Sequence, residues 1–304
     1  MKRLLVAAAI GAVSSSATAQ KQASRDSRDI VLEARRVSPT TPLRIYGIAG
    51  SIRLVGWDRD SLVITSQSRP RDFFFAHDPG GGGVKTGIDQ YRFGVDSEHT
   101  AEDSRPFHFV VYLPKQSQVT VHSISAAIDA SDVSGNFSTA SGSILLRGLT
   151  GTLEVASVSG NIDVNASASW VRAQTGGGGR LLVRGAVQDV DASTVDGELD
   201  VATPTVMRGR FSSVNGDIRY ASTPAAGSIF DFSNHSGAVD MALPREASAA
   251  LDLSSVTGTV ENGIAQARPA AGGAHSMHLT LGRGDAQMTV RTFKGTVRLR
   301  PTQP

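Results

Sequence analysis

"FSSVNGDIRY", residues 211–220, sets a glycine between two short apolar stretches, and the same phrase returns along the chain in different letters. Residues 155–164 read "VASVSGNIDV", 192–201 "ASTVDGELDV", 232–241 "FSNHSGAVDM" and 253–262 "LSSVTGTVEN". Each copy runs apolar, small polar, small polar, usually Val, polar, Gly, any residue, apolar, polar, apolar. The shared glycines, Gly160, Gly197, Gly216, Gly237 and Gly258, recur at nearly even steps except that the first gap is almost double the others, and "GGGGRLLV" at 176–183 falls midway across it. Such a period, about 20 residues, marks a repeat architecture. Shorter copies of Gly-x-apolar-x-apolar stand at Gly50, Gly142, Gly151 and Gly295.

After each glycine the apolar residues are two apart: Ile162 and Val164, Leu181 and Val183, Leu199 and Val201, Ile218 and Tyr220, Val239 and Met241. That is the period of a strand with one buried face. The residues between them are mostly charged, as Asp163, Asp200, Arg219, Asp240 and Glu261 are. The glycine follows Ser, Asp, Asn or Thr, which suits a corner, and a sharp corner can call for the positive φ that glycine tolerates. Gly142, Gly151, Gly160, Gly197, Gly216, Gly237, Gly258 and Gly295 are therefore expected to be structural turn glycines.

A unit of about 20 residues cannot bury its own apolar side and must stack on its neighbours. The expectation is an all-β chain whose residues 115–300 form a parallel β-solenoid, with coils about 4.8 Å apart. An antiparallel sandwich or barrel is the alternative. In a solenoid one outward column would run Asp163, Leu182, Asp200, Arg219, Asp240, Glu261. Residues 30–114 read as an N-terminal β region that covers one end, with strands at 29–35, 43–48, 51–55 and 61–66. An insertion at 71–106 is expected to form a hairpin there. "FKGTVRLRPTQP" supplies one last strand at the other end, and residues 301–304 are a tail in which Pro301 and Pro304 discourage another.

Residues 1–19 have Lys2 and Arg3, an apolar run from Leu4 to Val13 and small residues at 17–19. This is the order of a secretory signal peptide cut after Ala19, leaving residues 20–29 as a flexible start. Removing it takes two of the 30 basic residues and none of the 28 acidic ones, so the remaining formal charge is zero. No basic surplus is left for nucleic acid, and no later stretch reaches the length of a membrane helix. The chain has no cysteine, so an exported form is held by packing and backbone hydrogen bonds alone. Periplasm, outer surface or medium is the expected location.

Chemistry is sparse. Seven histidines are scattered, and in His275-x-x-His278 residues three apart in a strand face opposite sides. The glycine runs at 80–83 and 176–179 precede no helix and make no phosphate cradle. "RGD" at 283–285 falls where a repeat turn belongs. No catalytic, cofactor-binding or metal-binding residue emerges. The enzyme alternative is a polysaccharide-active β-helix, whose acidic face would be Asp200, Asp240 and Glu261.

"GIAGSIRLVGWDRDSLVITS" (47–66), "FVVYLPKQSQVTVHS" (109–123) and the serial Ser-Gly strands from Val133 onward resemble the DUF4097 family of adhesin-like bacterial β-repeat proteins. The resemblance spans about residues 30–300 and departs from the pattern at 71–106 and at "TGGGGR". It implies an exported β-helical envelope protein with no established catalytic residues. The expected role is thus a non-catalytic scaffold for an envelope protein, a glycan or another surface.

Overall fold

The computed structural model describes residues 29–67, 74–78, 83–88, 107–204, 206–264 and 268–302. Among them 25 strands join into one hydrogen-bonded sheet, and there is no helix. The expected signal peptide, the start of the mature chain and most of the 71–106 insertion lie outside the described residues.

The repeat phrase folds as strand, corner, strand, and from residue 118 to residue 243 successive copies stack in parallel. The strands before the corner form one series: Gln118–Ser123, Ser134–Thr139, residues 153–157, residues 170–175, Asp189–Thr194, Arg208–Ser213 and Ile229–Asn234. Those after it form a second: Ala127–Ser131, residues 144–147, residues 162–166, Leu181–Gly185, Leu199–Ala202, Ile218–Ala221 and Val239–Leu243. Register follows the period, so that Ile162, Leu181, Leu199, Ile218 and Val239 fall in one line. All five are essentially without solvent contact. The alternation of each strand puts these residues inward and their charged neighbours outward, as the sequence period requires.

Large side chains fill the core where the backbone makes room. Phe211, Tyr220, Phe230 and Phe232 form a buried cluster with ring centroids 4.9 to 6.4 Å apart. A Cβ at Gly209 would lie 2.6 Å from both Phe211 and Phe230, so this glycine is the space the aromatic rings occupy. Burial pushes the Tyr220 phenol well above its usual range.

Both ends depart from chain order. Leu43–Gly47 and Gly50–Trp57 form a layer that sits between the Gln118–Ser131 layer and an outer one made of Val84–Ile88 and Phe107–Pro114. Antiparallel strands cover that outer layer: Phe74–His77 on Val84–Ile88, then Ser61–Ser66 on Phe107–Pro114, then Ile30–Arg36 on Ser61–Ser66. At the other end Ala286–Thr292 and Val297–Pro301 lie between the 229–243 layer and the layer of Ala249–Ser255 and Val260–Asn262. Ser276–Leu281 and Arg268–Gly272 then cover Ala249–Ser255 in antiparallel fashion.

The last strand is therefore not the end cover that the sequence order suggested. An outermost strand must have its free edge masked. Ala249–Ser255 is followed by Arg268–Gly272 and Ser276–Leu281, which fold back over it and mask its edge, so this layer stands outermost. Ala286–Thr292 and Val297–Pro301 are paired on both sides in the inner place.

The same swap corrects the outward column. It runs Asp163, Leu182, Asp200, Arg219, Asp240, Arg298, Glu261, with Arg298 between the two acids that the sequence placed side by side.

Candidate functional site

Each corner is built on a small polar residue three positions before the glycine. Thr139, Ser157, Thr175, Thr194, Ser213, Asn234, Thr292 and Ser255 are all buried and stack in this spatial order. Six accept a hydrogen bond from the glycine N–H of their own corner: Thr139 from Gly142 at 3.1 Å, Ser157 from Gly160 at 2.8 Å, Thr194 from Gly197 at 3.0 Å, Asn234 from Gly237 at 3.2 Å, Ser255 from Gly258 at 2.9 Å and Thr292 from Gly295 at 3.0 Å. A buried N–H left unpaired costs about 1–3 kcal/mol. Thr194→Val, which keeps the shape and removes the acceptor, should lower unfolding free energy by about that amount in chemical denaturation. The Ser213 hydroxyl has no hydrogen-bond partner, so Ser213→Ala should cost clearly less in the same measurement.

The repeat glycines answer a different need from the one expected of a corner. None of Gly142, Gly160, Gly197, Gly216, Gly237, Gly258 or Gly295 has a positive φ. Each packs its Cα against the carbonyl of the corner in the layer beside it. A Cβ would stand 1.8 Å from the Gly179 oxygen at Gly197, 1.8 Å from the Gly197 oxygen at Gly216 and 2.1 Å from the Gly295 oxygen at Gly258. Gly151 stands apart: it has φ of 77° and lies inside Ile144–Ser157, beside a register shift.

With the capping residue turned inward, the next residue must point out. This position is the "usually Val" of the repeat. It carries Ile124, Ala140, Val158, Gly176, Val195, Val214, His235, Phe293 and Val256, in the spatial order of the layers. Ile124, the four valines and Phe293 keep 42 to 64% of their surface exposed. The His235 and Phe293 rings stack at 5.1 Å, only 4° from parallel. Nine rungs at the strand spacing make an apolar ladder about 38 Å long. Contiguous exposed apolar surface of this kind marks interaction sites.

The ladder is flanked by rows with little charge. On one side the last outward strand residues are Ser138, Ala156, Gln174, Ser193, Ser212, Ser233, Arg291 and Ser254 in register. On the other are short residues, nearly all polar, and, beside Phe293, the exposed Lys294; within this row Asn215 donates to Asp196 at 2.6 Å and Ser236 to Asn215 at 2.9 Å.

The acids singled out in the sequence lie on the second strand series, and there they are paired. Asp200 meets Arg180 at 2.7 Å, Asp240 meets Arg300 at 2.6 Å and Glu261 meets Arg298 at 3.1 Å. Arg184 holds Asp163 at 2.7 Å, and Glu198 binds both Arg180 and Arg219. The hydrogen bond to Asp240 raises the pKa of the Arg300 guanidinium. The structure thus does not bring Asp200, Asp240 and Glu261 together as a bare acidic cluster.

The remaining sequence candidates close on themselves. His275 contacts the Gly258 carbonyl at 2.6 Å and His278 contacts Asp252 at 3.3 Å, so the two share no ligand position. In "RGD" the Arg283 guanidinium pairs with Asp285 at 3.1 Å. The Ser248 hydroxyl, and then Arg283, hold the Asp285 carboxyl below its usual range.

The ladder is a site that reasoning from sequence recorded but did not place. The recurring valine is plain in the repeat, but at a corner the period of two breaks and neither face is assigned.

Comparison with known proteins adds a family and a fold. The pattern of the family described as Toastrack DUF4097 matches residues 107–300. A candidate adhesin from Parabacteroides merdae ATCC 43184 shares 12% identity, with 88% of this chain and 94% of that chain covered and a TM-score of 0.53. A candidate lipid binding protein from Parabacteroides distasonis ATCC 8503 shares 11% identity over 89% of this chain and 96% of that one, with a TM-score of 0.49. A candidate adhesin from Bacteroides fragilis NCTC 9343 shares 11% identity over 90% and 97%, with a TM-score of 0.44. At such identity the first of these is a likeness of fold. No curated protein matches the chain. Among the described residues no helix is long and apolar enough to cross a membrane.

Proposed function

The chain belongs to the Toastrack DUF4097 family, and from that premise we propose that it is an exported, non-catalytic β-solenoid of the cell envelope that works as an adhesin-like interaction scaffold. The observation that carries this is the exposed apolar ladder from Ile124 to Val256. A folded chain that repeats an exposed valine in layer after layer bears its exposure cost for a partner rather than for its own core. The parallel register, which advances by one repeat from each layer to the next, supports the solenoid reading of residues 115–300. The order of charge, apolar run and small residues at 1–19 supports export.

The enzyme reading loses its support where the acids meet arginine. Glycoside cleavage uses two carboxyl groups facing one bond. Asp200, Asp240 and Glu261 each face a guanidinium instead, which leaves an ordered, neutralised surface suited to solubility. Protein, glycan or lipid surface remain the partner classes this scaffold could serve.

The test is capture of envelope proteins and glycans on immobilised residues 20–304, compared with a Val195→Asp, Val214→Asp variant. Both side chains are exposed, so the variant should keep its circular dichroism and its melting temperature within a few degrees. Capture should fall at least tenfold. Undiminished capture by the folded variant would remove the ladder from the binding surface.

A further inference from the structure

We propose that the apolar ladder is a self-association surface, occupied by the ladder of a second copy of this chain lying antiparallel to the first. This rests on the reading of the ladder as an interaction site and names its partner.

Spacing supplies the first argument. Side chains recur along the ladder at the distance between hydrogen-bonded strands, about 4.8 Å. To meet every rung over nine layers, a partner needs projections at the same interval. A second copy has them by construction, and a two-fold axis across the ladder makes the contact closed and self-complementary.

Size supplies the second. The spatial order is Ile124, Ala140, Val158, Gly176, Val195, Val214, His235, Phe293, Val256. Ile48, the next residue outward in the stack, is half-buried and packs against the core, so the exposed ladder starts at Ile124. Antiparallel pairing about the central Val195 puts Phe293, the largest rung, opposite Ala140, and Val214 opposite Gly176. Val158 meets His235 and Ile124 meets Val256. Bulk faces notch at both small positions, as well-packed apolar contacts require. Parallel pairing would set Phe293 on Phe293 and leave Gly176 facing Gly176, a clash beside a void. The absence of a side chain at Gly176, in the four-glycine corner at 176–179, gains a purpose in this arrangement, since any side chain there would meet Val214.

Charge supplies the third. Stable binding of one face to a bilayer surface draws on basic residues around an apolar face with Trp, Phe or Leu. The rungs here include four valines and no Trp or Leu, and the Arg and Lys residues beside them, Arg291 and Lys294, both stand next to Phe293 toward one end of the ladder. In the antiparallel pair the row that contains Asp196 faces its own copy, so the two Asp196 carboxylates approach each other near the axis. Asp196→Asn should therefore tighten association, and added salt should do the same for the unmodified protein.

A strip this narrow falls short of the roughly 800 Å² per partner of a standard interface, so dissociation in the micromolar range is expected. Sedimentation velocity of residues 20–304 between about 1 and 500 μM should show a monomer–dimer equilibrium in that range. Val195→Asp should abolish it, and Asp196→Asn should strengthen it several-fold. The chain has no cysteine, which makes cross-linking a direct reading of direction. Under mild oxidation Val195→Cys should form a disulfide with its own copy. Val256→Cys should not, but should cross-link to Ile124→Cys when the two are mixed.

A protein that is monomeric at every concentration overturns the proposal. If its partner capture is still lost in Val195→Asp, the ladder serves another molecule and only the identity of its occupant fails. If capture is unchanged too, the interaction reading fails with it. A Val256→Cys self-link with none at Val195 overturns the antiparallel arrangement. Binding of the monomer to phosphatidylcholine–phosphatidylglycerol vesicles or to a soluble glycan, lost in Val195→Asp, assigns the ladder to that class and overturns self-association.

Discussion

Gly216→Ala should be among the most damaging single substitutions in this protein, costing about 4 kcal/mol or more and lowering the melting temperature by roughly ten degrees. The new methyl group would sit 1.8 Å from the Gly197 carbonyl oxygen in the neighbouring layer. That oxygen is backbone, fixed in a stack that has its own neighbours, so no side-chain rotation relieves the clash. The two layers must move apart, and separation at one corner weakens the strand hydrogen bonds on both sides of it. Gly197→Ala and Gly295→Ala, each 1.8 Å from a carbonyl oxygen, should behave alike. Gly273 is the control: a Cβ there meets nothing within 4 Å, and its φ is not positive. Gly273→Ala should change stability by no more than about 0.5 kcal/mol. Equal losses at 216 and 273 in thermal unfolding would show that close contact between layers is not what these glycines provide.

Deletion of residues 286–304 should do more than shorten the stack by one layer. Among the described residues strand Ala249–Ser255 pairs in parallel only with Ala286–Thr292, and Val260–Asn262 only with Val297–Pro301. Without those partners residues 249–281 lose their attachment to the rest of the sheet, and Ile229–Asn234 is left with an open edge. Amide hydrogen exchange in 249–281 should then approach the unfolded rate, and the truncated protein should aggregate through the open edge. Protection retained across 249–281 would mean that this layer docks directly on 229–243, against the observed order.

Much of this architecture is legible in the sequence because one repeat states it completely. The phrase fixes which residues face in, as at Ile218 and Tyr220, and which pair outward, as at Asp200 and Arg219. What one repeat cannot state is its neighbour. "AQMTVRTFKGTVRLR" follows the same template as the other copies, so nothing local separates an end layer from an inserted one. That is why Asp240 and Glu261 looked adjacent and Arg298 was not anticipated between them.

The corner glycines were legible as positions but not as a mechanism, because their requirement arises between layers and not in the torsion angles of one turn. The capping residues were equally hidden. Thr194 and Ser255 read as ordinary small polar letters until their burial shows that they hold the glycine N–H. The ladder follows from the same fact, since the inward turn of Thr194 is what sends Val195 out.

The inserted terminal layer also sets a clock. A chain emerging from its N-terminus completes residues 229–243 and then 249–281 with the place between them still empty. The strand edges that border this slot stay open until residues 286–301 follow and close a gap that opened when the 249–255 strand was laid down. For that interval the bordering edges are open to strands of another chain, so closure within one molecule competes with aggregation between molecules.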